Sequence, residues 1–135
     1  MTTADFADIL AFALVRLAEE ESLAQAAQAA NPGRWYAGSG LDGWIDIACD
    51  DGALANDSDE RGAVEAAAAQ HAVRQQPAAT LARVAALRAL LALHEESGVV
   101  PGFCRHDTHP SPCLTLHHVA AIWSWHPDYR TEWKL

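Results

Sequence analysis

An α+β fold, with three or four helices packed on a small antiparallel β-sheet in a single domain, is what this chain predicts. Three observations carry it. Residues 1–30 repeat apolar side chains three and four apart, which is helix spacing. Residues 34–55 break into short apolar runs divided by glycine and aspartate, which is the pattern of hairpins. Residues 58–97 return to helical spacing in alanine-rich form. The 135 residues are one domain's worth of chain, enough to hide about two-thirds of the unfolded surface without staples.

The first helix is expected from Thr2 or Thr3, which can cap it, to about Ala29, where Asn31-Pro32-Gly33 stops it. Its core face would read Phe6, Ile9, Leu10, Ala13, Leu14 and Leu17, with Asp5 and Asp8 near the positive end of the helix dipole. Three strands follow as a small meander, near 34–37, 44–49 and 52–55. Asp50-Asp51-Gly52 supplies turn chemistry there; it lacks the alternating oxygens and closing glutamate of a calcium loop. Within 58–97 a helical pair is expected. Asp57-Ser58-Asp59-Glu60 would start a helix from Arg61 to about Gln75, with His71 on its inner face, ended by Pro77. The partner helix would run from about Ala78, with Leu81, Val84, Leu87, Leu90 and Leu91 inward and His94 continuing the stripe. Residues 98–135 hold a Cys/His loop and a last helix that begins at Ser111-Pro112, buries Leu116, Val119, Ala120, Ile122 and Trp123, and closes at His126-Pro127. The five tryptophans are expected in packing roles, with Tyr129 and Trp133 docking the tail.

Charge narrows the function. The formal net charge is −9, and residues 1–70 hold thirteen acids against Arg16, Arg34 and Arg61. A single lysine and no basic stripe exclude the usual way of neutralising phosphates, so direct nucleic-acid binding is not expected. The acidic surface suits a basic protein partner, and Asp46, Asp50, Asp51, Asp57, Asp59 and Glu60 are the residues that would meet it, imitating the charge of nucleic acid. Three cysteines, with no leader and no apolar stretch long enough to span a bilayer, point to the reducing cytoplasm.

The last third carries the only chemistry. Cys104, His106, His109, Cys113, His117 and His118 fall within fifteen positions. Cys113 in a first helical turn, His117 one turn on, Cys104, and His106 or His109 would make a tetrahedral Cys₂His₂ zinc site. His94 could replace one histidine and join two helices. The competing readings are free thiols or a Cys104–Cys113 disulfide. The leading function is therefore a small, non-catalytic acidic accessory protein acting by protein–protein contact, with a structural zinc. Two alternatives stand beside it: a zinc hydrolase or nuclease with Asp107 or Glu95 as base, and a virion or assembly component.

Several blocks carry a family resemblance: Asn31-Pro-Gly-Arg-Trp35, His71 to Leu81 with Gln75-Gln76-Pro77 inside it, Leu93-His94, Pro112-Cys113-Leu-Thr-Leu116, His126-Pro-Asp-Tyr-Arg130 and Glu132-Trp133. Over nearly its whole length the chain resembles a group of short actinobacterial and actinobacteriophage proteins known only as a domain of unknown function. The resemblance implies phage or mobile-element origin and implies no activity. In such proteins an arginine tends to stand where His117 is, which turns the expected metal set to Cys104, Cys113, His94 and His106.

Overall fold

The structure is a computed structural model that describes residues 3–38, 44–45, 47–50, 52–55 and 64–135. Its order is α1 (Thr3–Ala30), β1 (Tyr36–Ala37), β2 (Trp44–Ile45), β3 (Ile47–Cys49), β4 (Gly52–Ala55), β5 (Val64–Glu65), α2 (Ala66–Arg74), α3 (Pro77–Leu93), α4 (Leu114–Ala121) and a 3₁₀ turn (Thr131–Trp133). The α+β class follows from these elements. The chain divides into two compact units: Met1–Glu19 with Val84–Leu135, and Glu20–Arg83.

In the unit of residues 20–83 the strands form two small antiparallel sheets. One has the order β1-β3-β4, with Tyr36 opposite Ala48 and Cys49 opposite Gly52; the other pairs β2 with β5, Ile45 opposite Val64. β5 replaces the expected first turn of the second helix. Val64, β-branched, is in a cross-strand pair with Ile45, and α2 starts only at Ala66. His71, expected inward, is exposed. α2 ends at Arg74, close to the expected Gln75 ahead of Pro77, and Pro77 is itself the first residue of α3, where a missing N–H costs no hydrogen bond. Gly33 holds a left-handed φ of 87°, and a Cβ there would collide with the Asp50 carboxylate, which also accepts a hydrogen bond from the Arg34 N–H at 3.2 Å. Among the residues of this unit whose burial is described, Ala24, Ile47, Cys49, Ala69 and Pro77 are buried.

The other unit has an aromatic-rich core. Phe6, Ile9, Ala13 and Leu17 of α1 pack with Val84 and Leu91 of α3 and with Leu116, Val119, Ala120 and Trp123 of the α4 region. The buried face of α1 is rotated from the expected one: Leu14 is exposed, while Phe12 and Arg16 are buried. The tail is the cause. The rings of Phe12, Tyr129 and Trp133 lie 5.2–5.9 Å apart in edge-on and tilted pairs, so the tail draws Phe12 inward. Trp133 is buried and Arg130 stacks over its ring at 5.2 Å, which fulfils the expected docking of the tail. Trp125 departs from the packing role expected of it and stands exposed. After Ala121 the backbone winds on through i→i−3 hydrogen bonds from Ile122, Trp123 and Ser124. That tighter winding turns Ile122, expected in the core, half outward.

Candidate metal centre

Three segments of the unit formed by residues 1–19 and 84–135 converge on one point. His94 follows the last residue of α3, Cys104 and Asp107 lie in the loop after it, and Cys113 stands just before α4. One ligand atom from each lies within 4.8 Å of every other, and His94, Cys104 and Cys113 are buried.

The loop is ordered by its own backbone. The Arg105 N–H donates to the Glu95 carbonyl at 2.8 Å, Ser97 N–H to Phe103 at 2.7 Å and Ser111 N–H to Gly102 at 2.8 Å, so the chain folds back on itself between 95 and 111. Gly102, at φ 82°, makes the bend, and the Glu96 carboxylate accepts its N–H at 2.6 Å. A second, tighter turn runs from Cys104 to Thr108, whose N–H donates to the Cys104 carbonyl at 3.2 Å; Thr108 takes φ 56° to close it. This turn returns Asp107 to the side of Cys104. His106, one residue earlier, is left exposed, with its ring edge-on to His94 at 5.0 Å between centroids.

So three of the four expected donors come together, and Asp107 stands where His106 was expected. The missed signal is Cys104-x-x-Asp107, a two-residue spacing that makes a knuckle when a tight turn closes it. The others of the His cluster lie elsewhere. His117 is buried and donates from Nδ1 to the Trp133 carbonyl at 2.9 Å, His109 donates its backbone N–H to Asp107 at 3.2 Å, His118 is exposed, and His126 contacts Arg16. Cys113 is the N-cap residue before α4 rather than a member of its first turn. Its carbonyl still accepts the first helical N–H groups, from Leu116 and His117.

Three of the six donor–donor distances fall in the range of a tetrahedral coordination shell, and the others lie within 4.8 Å. Cys104 Sγ and Cys113 Sγ lie 3.4 and 3.5 Å from His94 Nδ1, and Asp107 Oδ2 lies 3.6 Å from it. Sulfur, nitrogen and oxygen donors at about 2.0–2.3 Å from one ion stand about 3.3–3.8 Å apart at the corners of a tetrahedron. Both thiols are free. Burial pushes the Cys113 thiol above its ordinary value of 9.0, and the neighbouring Cys104 adds to the shift. The hydrogen bond from Cys104 holds the Asp107 carboxyl below its ordinary value, against desolvation and with help from the His109 N–H and from His94. The site thus pairs one anionic oxygen with two thiols that must lose protons to bind a cation.

Of the expected partner-binding acids, Asp50 is exposed and committed to the Arg34 N–H. Asp46, Asp51, Asp57, Asp59 and Glu60 lie outside the described residues. No helix among the described residues is long and apolar enough to cross a membrane.

With this architecture and this cluster in view, the chain's relations are narrow. It belongs to a family of unknown function (DUF6221), which it matches over residues 6–135. No curated protein and no solved structure matches it.

Proposed function

We propose that this is a non-catalytic accessory protein whose C-terminal region is clasped by one structural zinc ion held by His94, Cys104, Asp107 and Cys113. The observation that carries the reading is the spacing of 3.4–3.6 Å from His94 Nδ1 to the other three donors, the edge lengths of a tetrahedral centre. Two cysteine sulfurs and an imidazole suit zinc rather than calcium or magnesium, which take oxygen donors. Four protein ligands leave no place for a bound water, which a hydrolytic zinc needs, and this supports the structural role over the hydrolase or nuclease. Asp107 as ligand is not free to act as base. Glu95, the other expected base, is paired with Arg105 at 3.4 Å.

The clasp joins the end of α3, the 95–111 loop and the start of α4, so it fixes a stretch of chain that is short in regular structure. The experiment is elemental analysis of protein purified without a histidine tag, with melting curves before and after a chelator. About one zinc per chain and a chelator-induced drop on the order of 10 °C are expected. Metal-free protein that melts identically with and without chelator would sink the reading.

The partner class we propose is a basic protein, and the origin a phage or other mobile element. The first rests on thirteen acids against three bases in residues 1–70, the second on the resemblance of the His126–Arg130 tail. Reversing Asp50, Asp51, Asp57 and Asp59 to lysine should abolish capture of a cationic protein at physiological salt; unchanged capture would remove the charge-mimic reading and leave the clasp intact.

A further inference from the structure

The outward side of α4 has no counterpart in the core. Leu116, His117, Val119, Ala120 and Trp123 are buried, while Leu114, Ile122 and Trp125 are 64, 47 and 76% exposed on the opposite side, eight and three residues apart along the winding. They form an apolar ridge. Beside it runs an open cleft of about 510 Å³, lined by His118, Ala121 and Ser124 of the α4 region and by Tyr129, Thr131, Lys134 and Leu135 of the tail.

We infer that this face binds a second copy of the chain, two α4 helices packing about a two-fold axis with each ridge lying in the cleft of the other. A two-fold contact requires one patch to be complementary to itself, and a ridge flanked by a cleft on one helix meets that requirement. The area suffices. Three such side chains expose on the order of 400 Å² of apolar surface, near the largest patch that a typical monomer leaves bare. Burying ridge and cleft on both copies removes on the order of 1,000 Å² from water, the threshold for a biological interface and the size of a weak, reversible one. Charge selects the place. Residues 1–83 hold thirteen acids against five bases, and two copies meeting there would repel; residues 84–135 hold five acids against four bases, so copies can approach through α4 without that cost. The same neutrality argues against a strongly charged partner on this face.

The inference does not depend on zinc, and metal content is expected to be the same in every variant below. Sedimentation of the full chain from about 1 to 100 µM should show a shift from the 14.5 kDa monomer to twice that mass, with a Kd on the order of micromolar. Trp125→Glu combined with Ile122→Glu, both at exposed positions, should weaken association at least about a hundredfold, whereas Leu23→Glu, exposed on α1, should leave it unchanged. Hydrogen exchange of the unmodified chain provides a readout that needs no variant: amides of 114–125 and 129–131 should gain protection as concentration rises. A monomer throughout, a dimer indifferent to the double substitution, or protection gained in another part of the chain would overturn it.

Discussion

The two units of this molecule are held together in different ways. In the unit of residues 20–83 the side chains described as buried are Ala24, Ile47, Cys49, Ala69 and Pro77, and strands of two to four residues paired by backbone hydrogen bonds stand beside α2, the C-terminal part of α1 and the N-terminal part of α3. In the unit of residues 1–19 and 84–135 the core holds two phenylalanines, two tryptophans and a set of leucines, drawn from segments more than a hundred positions apart. The second also contains the Cys/His/Asp cluster, at the place where its regular structure runs out. The comparison teaches that large apolar side chains tie distant segments together, whereas the proposed zinc clasp would do the same work where the chain has only loop to offer.

Removing an element of the aromatic-rich core should give the largest effect. Trp133→Ala deletes the ring that Phe12 and Tyr129 pack against and should cost about 3–5 kcal/mol in urea or thermal unfolding. A loss below about 1 kcal/mol would mean the tail is an ornament rather than part of the core. Next comes the cluster, where Cys113→Ser should abolish stoichiometric metal while His106→Ala should retain it. Loss of metal in His106→Ala would return the fourth ligand to the residue first expected.

Acidity sharpens the same point. Because the Cys113 thiol is raised in the folded, metal-free chain, its neutral form is favoured there. The stability tied to that proton is fully present below the ordinary value of 9.0 and is lost as pH rises through the raised one. Asp107, lowered, contributes above its ordinary value of 3.8, and that contribution is lost as pH falls through the lowered one. Zinc reverses the alkaline trend, since binding needs both thiolates: affinity should climb with pH below the thiol range, with about two protons released per ion. Titration calorimetry in buffers of different ionisation heat would count those protons, and a count near zero would exclude thiolate ligation.

Smaller effects are expected for one further change in each unit. Ile47→Val removes one buried methylene and should cost about 0.5–1.5 kcal/mol. The Asp8–Arg130 ion pair, 2.8 Å long with both side chains about half exposed, should matter least: Asp8→Asn should change stability by under about 1 kcal/mol, and less at high salt.

Much of this was legible in the chain. The α+β class, the long first helix to the Asn31-Pro32-Gly33 stop, the helix starting near Pro77 and the docking of Tyr129 and Trp133 all follow from spacing and from stop residues, which act locally. Where reading failed, a distant partner decided. Val64 and Glu65 became strand through Trp44 and Ile45, and Phe12 turned inward to meet the tail. His94, Cys104 and Cys113 could be named because thiols and imidazoles are scarce enough for density to signal them. Asp107 could not be given its place in the cluster, because a carboxylate on a loop is common and only a turn brings it back.

By itself, then, the sequence determined the helices, most of the strands and the types of donor, since periodicity, caps and composition act within a few residues. Tertiary structure alone decided which donors share a point and which face of each helix is inward. Those outcomes depend on the closure of the Cys104–Thr108 turn and on side chains more than a hundred residues apart, and no local propensity encodes either.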